Sequence, residues 1–278
     1  LFAPETAWLS HAFGSGYARG DTGQNPTYGT SVFFDLPPDY NGKTPATLAF
    51  VDANGRTVRS FNLHLHNKKE KKPPARADID AVQVMANDLH ELTGADPGMN
   101  LFVWDMRYPP ATEARGAHAF GTDDYADTVD GPTILPGKYS VVLSYGGKKL
   151  QQAFHVALDP RLHPGSGELA ARLALAMRIR GTLDSLNRAV NAALAARASL
   201  PAAKRAQVDA ALANMVQLNV HSSEGDLLHE SKMRDHLAFL MNSLDLAYQA
   251  PTPAEYAIYD ELRAEAAAQI ARLREAMQ

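Results

Sequence analysis

The chain contains no cysteine. Disulfides, thiolate metal sites and cysteine nucleophiles are therefore excluded, while the redox compartment stays open. It has no apolar run of about 18 residues, so nothing reads as a membrane span. It has no excess of positive charge: 27 Lys and Arg against 31 Asp and Glu leave a formal charge of −4. A basic field for nucleic acid is thus missing. No HExxH or GxSxG run occurs, and "GSGYARG" (14–20) lacks the Lys-Ser/Thr ending of a phosphate loop. No charged n-region and apolar h-region open the chain, so no signal peptide is expected in it. It starts "LFAPETAW" without an initiating Met and reads as a processed or excised piece. Tryptophan is scarce, with only two copies.

At 278 residues, 45% hydrophobic and 21% charged, the chain has the composition of a soluble globular protein. It has room for one large domain or two ordinary ones. The text changes character near residue 160. Glycine and proline concentrate before it, and Ala/Leu/Arg-rich helical periodicity follows it. Two domains, 1–160 and 161–278, are expected, joined by "LDPRLHPGSGE" (158–168).

The first half reads as antiparallel β. "YGTSVFFDLP" (28–37) alternates, and "ATLAFVDANGRTVRSFNL" (46–63) is a hairpin around Asn54-Gly55, a dipeptide suited to a type I′ turn. "MNLFVWDMRY" (99–108) is a strand, and "GPTILPGKYSVVLSYGGKKLQQAFHVAL" (131–158) is a second hairpin turning at Gly146-Gly147. Short strands with turn signals point to a β-sandwich. Within them, Ile79, Val82, Met85, Leu89 and Leu92 lie at helical spacing, predicting a short inserted helix over 77–94. The second half predicts helices over 166–200, from Pro201 to about Leu218, over 231–249, and from Pro253 to the end. The last opens with Thr252 as N-cap, Pro253 at N1 and Glu255 at N3. Short connections between them imply an antiparallel helical bundle.

Several clusters could carry chemistry. Trp104, Asp105, Arg107 and Tyr108 would suit a sugar platform, an aromatic face beside a charged pair. The competing reading places Trp104 in the core and uses Asp105 or Arg107 to fix the turn after the strand. In Pro136-Gly137-Lys138-Tyr139, Pro and Gly set a turn and Tyr139 packs. His64 and His66 share one side of a strand, as a metal pair can, but lysines follow and no third ligand is near. His221, Glu224, Asp226, His229, Glu230 and His236 surround one inter-helix loop with ligand-type side chains. A groove between the two domains would gather Asp123, Asp124, Asp127, His221 and Glu224. No catalytic residue, metal or cofactor is assigned; Asp124, His221 and Glu224 join the 104–108 residues as candidate binding positions.

The order "NPTYGTSVFFDLP", "ATLAFVDANGRTVRSF", "NLFVWDMRYP", "GPTILPGKYSVVLSYGGKKLQQAFHVALDPR" and "LALAMRIRGTLDSLNRAVN" carries a resemblance over nearly the whole chain. It resembles the region after the β-propeller in large bacterial proteins with BNR/Asp-box repeats, often labelled glycosyl hydrolase or sortilin-like. The strand pair with its Trp-Asp and later Pro-Gly-x-Tyr also resembles the flagellar-hook-cap type of immunoglobulin-like domain. The resemblance implies an α+β chain: an immunoglobulin-like sandwich, then a bundle of three to four helices. It also implies an extracytoplasmic location, and as partner a preceding propeller, another chain of the same protein, or a glycan. The propeller's own Asp-box repeats are missing here, and propeller catalytic groups cannot be carried over. The expected function is accessory and non-catalytic, with contribution of one wall to a glycoside hydrolase site as the alternative.

Overall fold

The computed structural model describes residues 1–10, 28–66, 94–117, 129–218, 230–245 and 247–278. The fold is α+β, with eight strands and four helices among the described residues. It divides into two compact units. The first comprises Leu1–Tyr108 and Ile134–His163, the second Pro109–Thr133 and Pro164–Gln278. The composition change near residue 160 lies close to the last crossing. It gives no sign that 109–133 groups with the helices, because the described residues of that stretch, 109–117 and 129–133, are not helical.

The first unit carries β1 (Ala7–Leu9), β2 (Thr30–Leu36), β3 (Ala46–Asp52), β4 (Thr57–Leu65), β5 (Gly94–Ala95), β6 (Gly98–Trp104), β7 (Gly137–Tyr145) and β8 (Lys148–Leu158). Six form one sheet in the order β1-β8-β7-β3-β4-β5, and β2 pairs with β6 in a second. The central pairings are antiparallel, but β1 on β8 and β4 on β5 are parallel. Neither β1 nor β5 is expected from sequence, since two or three residues are too few to show alternation. The helix expected over 77–94 lies outside the described residues up to 93; Gly94 itself belongs to β5.

Alternation builds the core. Val32, Phe34 and Leu36 on β2, Leu48 and Phe50 on β3, and Val141 and Leu143 on β7 are all buried. Aromatic rings join the two sheets. Phe50 stacks on Trp104 with ring centres 4.1 Å apart, and Phe61 lies 4.7 Å from Phe102.

Turn chemistry separates the two hairpins. Gly146 and Gly147 both have positive φ (55° and 78°), as a two-residue type I′ connection requires. The β3–β4 hairpin is not type I′: only Gly55 is left-handed, with φ 77°. The Gly55 amide donates to the Asp52 carbonyl at 3.0 Å, and the Asp52 carboxylate accepts the amides of Asn54 and Arg56. Asp52 thus organises a longer loop ending in a single left-handed glycine.

The second unit contains α1 (Glu168–Arg197), α2 (Ala202–Met215), α3 (Met233–Asp245) and α4 (Pro253–Met277). Leu175, Ile179, Leu183, Leu186 and Val190 of α1 are buried at the expected spacing, but Met177 is exposed and Arg172 and Asn187 are covered. Helix α4 starts with the expected capping box: Thr252 accepts the Glu255 amide, and Glu255 accepts the Thr252 amide. Leu237, Leu240, Met241 and Leu244 of α3, and Tyr259, Ala266 and Leu273 of α4, enter the same core.

Candidate functional site

Strand β6 ends at Trp104, and the chain then turns sharply. Trp104 is fully buried. Its ring rests on Phe50, meets Tyr139 and Phe154 edge-on, and donates from Nε1 to the Arg107 carbonyl at 3.2 Å. No ring face is left for a sugar. Behind it, Gly29 has φ 120°, and a Cβ there would lie 2.5 Å from the Trp104 carbonyl oxygen. Glycine is required at that approach.

Asp105 and Arg107 form the corner. Arg59 Nη1 contacts both Asp105 oxygens, at 3.1 and 3.0 Å, with both side chains about nine-tenths covered. The Arg107 amide donates to Asp105 Oδ1 at 3.2 Å. Between them Met106, completely buried, takes φ 58°. A left-handed non-glycine residue costs on the order of 1 kcal/mol. The Asp105 bonds and the Ile134 amide, which donates to the Met106 carbonyl at 3.0 Å, hold it there.

Tyr108 and Tyr139 complete the neighbourhood. Burial pushes the Tyr108 phenol up, the Asp52 charge adds to this, and Arg56 opposes it. Burial also raises Tyr139, with Tyr108 and Asp52 contributing, and its hydroxyl donates to the Leu135 carbonyl at 2.7 Å. Both phenols stay protonated at neutral pH. The arrangement closes Asp105 with Arg59. Its polar groups hold the corner after β6.

His66 meets one carboxylate. His66 Nδ1 lies 3.3 Å from Asp96 Oδ2, and its ring covers Gly94, where a Cβ would come within 2.7 Å of it. No group of three or more metal-ligating side chains occurs among the described residues. Of the inter-helix cluster, Glu230 pairs with Lys232 at 3.0 Å and His236 lies on α3. Asp123, Asp124, Asp127, His221, Glu224, Asp226 and His229 lie outside the described residues.

The strongest polar construction lies in the second unit, in a stretch that reads from sequence only as a polar loop. Residues 109–115 run along α1 and are held by four side chains at positions 180, 184, 187 and 191, one stripe at helical spacing. Arg180 donates to the carbonyls of Pro109 and Pro110 at 2.6 and 3.0 Å. Asp184 accepts from the Thr112 amide and hydroxyl at 2.9 and 2.7 Å. Asn187 donates to the Thr112 carbonyl at 2.7 Å. Asn191 accepts the Arg115 amide at 2.8 Å and donates to the Glu113 carbonyl at 2.7 Å. Ala111, Ala114 and Ala117 enter the helical core. Burial raises the Asp184 pKa, but the Thr112 bonds and Arg188 outweigh it and bring the carboxyl down to about 2. The signal was present as Arg180, Asp184, Asn187 and Asn191 recurring on one helix face. Its partner stretch had no pattern of its own.

The second tryptophan, Trp8, has the opposite setting from Trp104. It lies on β1 between buried Ala7 and Leu9 and is 51% exposed. No protein-family model, characterised protein or solved structure matches the chain.

Proposed function

We propose that this chain is a non-catalytic accessory region of a larger extracytoplasmic protein. Its first unit would be an immunoglobulin-like sandwich and its second an antiparallel helical bundle. Together they would brace a neighbouring β-propeller or bind a protein or glycan partner. One observation carries the reading: the Trp-Asp-x-Arg-Tyr residues are occupied with folding. Trp104 fills the core, Asp105 is held by Arg59 and caps the Arg107 amide, and the two tyrosines are protonated. Glycoside hydrolysis needs two carboxylates roughly 5–9.5 Å apart across an open site, one of them with a raised pKa. Asp105 is closed off by its ion pair, Asp159 and Asp184 are lowered to about 2 by their hydrogen bonds, and Asp235, which burial raises, is enclosed beside Arg234 and accepts the Lys232 amide.

The experiment is release of reducing sugar or aryl alcohol from a broad glycoside panel by the purified 278-residue chain. No turnover is expected. Turnover that disappears in Asp124→Asn or Glu224→Gln, with folding intact, would instead favour the glycoside-hydrolase wall. Assaying the parent protein with and without this region separates bracing from catalysis.

A further inference from the structure

We propose that Trp8 is the stacking platform of a glycan-binding site on the outer face of the six-stranded sheet. The proposal deepens the accessory reading by naming a ligand class and a surface. Parallel pairing sets Trp8 opposite Ala157, and the alternating burial of Ala7, Trp8 and Leu9 points the indole outward. The same face of β8 continues through His155 and Ala153, both exposed. The next strand places exposed Lys138 opposite His155.

Sheet geometry sets the scale. Strands lie about 4.8 Å apart and same-face residues about 6.7 Å apart, so the Cα of His155 is roughly 8 Å from that of Trp8 and that of Lys138 roughly 12 Å. A pyranose lying on the indole would have its rim within reach of the imidazole, and the next sugar would reach the ammonium. Ala157, paired with Trp8, puts only a methyl group beside the ring. Trp8 is half exposed and, among the described residues, no ring contact covers it. An exposed indole supplies a flat apolar face at small entropic cost, and convergent polar groups beside it supply orientation. That combination suits a pyranose with an apolar C–H face and equatorial hydroxyls, as in β-linked glucose, xylose or N-acetylglucosamine chains. It suits an apolar peptide less well, because the polar neighbours would lose their water without compensation.

The two tryptophans provide the assay, since Trp104 is fully buried and only Trp8 is open to ligand or quencher. Cellohexaose, xylohexaose, chitohexaose and mannohexaose are titrated separately into the whole chain. Intrinsic fluorescence, acrylamide quenching and saturation-transfer NMR are recorded. At least one β-linked oligosaccharide is expected to shift the emission and protect it from acrylamide, with saturation strongest on its axial C–H protons. Trp8→Ala should abolish the transfer, while His155→Ala with Lys138→Ala should weaken binding roughly tenfold and leave the emission of the free protein unchanged. Unchanged far-UV spectra and unfolding midpoints confirm that the variants fold. Absence of any response across the panel, or binding that survives Trp8→Ala, overturns the site. Either result leaves the accessory reading standing, because that reading is tested separately, by glycoside turnover of the chain and by assay of the parent protein with and without it.

Discussion

The polar stripe of α1 makes a quantitative demand on Asp184. Replacing it by alanine removes the acceptor of the Thr112 amide and hydroxyl and the partner of Arg188 Nε, 2.7 Å away. Its pKa lies near 2 rather than 3.8. At ~1.36 kcal/mol per pH unit the difference corresponds to about 2.4 kcal/mol. The side chain is 24% exposed, and solvent screening brings the electrostatic part to about 1–2 kcal/mol. Leaving the Thr112 donors without their acceptor adds about 1 kcal/mol. The expected loss at pH 7 is therefore about 2–3 kcal/mol. The sign with pH follows from the depressed folded-state pKa. The charge-dependent part is fully present above the unfolded value of 3.8 and is lost as pH falls through about 2. About two-thirds of it should be gone by pH 2.5. Urea unfolding followed by helical circular dichroism, on wild type and Asp184→Ala at both pH values, measures the gap between them. Amide exchange at Thr112 gives the local readout and should quicken in the variant. A gap below about 0.5 kcal/mol at pH 7, or one that does not narrow on acidification, would refute the assignment of the stripe as the tie for residues 109–115.

Trp104→Ala should cost about 3–5 kcal/mol, seen as a large drop in the unfolding midpoint, because it empties the centre of an aromatic cluster. Arg59→Ala should destabilise by about 3–5 kcal/mol by leaving the Asp105 carboxylate buried with its main contact gone. The double variant Arg59→Met with Asp105→Leu should recover much of that loss, and denaturant midpoints of the three proteins give the comparison. Thr252→Ala should cost about 1 kcal/mol through loss of the α4 capping box, readable as faster amide exchange at Glu255.

Local patterns carried the elements. Alternation in 28–37 and 131–158 and the Thr252–Glu255 box follow from side-chain periodicity and capping, properties of adjacent residues that survive any tertiary arrangement. The same rules carried the main burial stripe of α1 and the packing of Tyr139. They failed where the deciding partner is distant in sequence. The β3–β4 turn is a local exception: it departed from type I′ because the Asp52 carboxylate binds amides two and four residues on. Strands β1 and β5 exist because β8 and β4 offer free edges, not because three or two residues have strand character.

The two tryptophans show the division most clearly. Sequence alone placed Trp104 on a strand and assigned Trp8 to no element. Trp104 is covered by a ring 54 positions away, Phe50, whereas Trp8 pairs with Ala157 of β8 and is half exposed. The stretch 109–117 follows the same logic. Its own residues ask only for an irregular path, and the stripe on α1 selects which path, because backbone donors and acceptors settle where fixed side chains can satisfy them. The sequence by itself determined the periodicities, the caps and the absence of thiols. Only the tertiary structure decided which polar and aromatic groups are employed in folding and which face solvent, since burial is a property of pairs of surfaces rather than of a single segment.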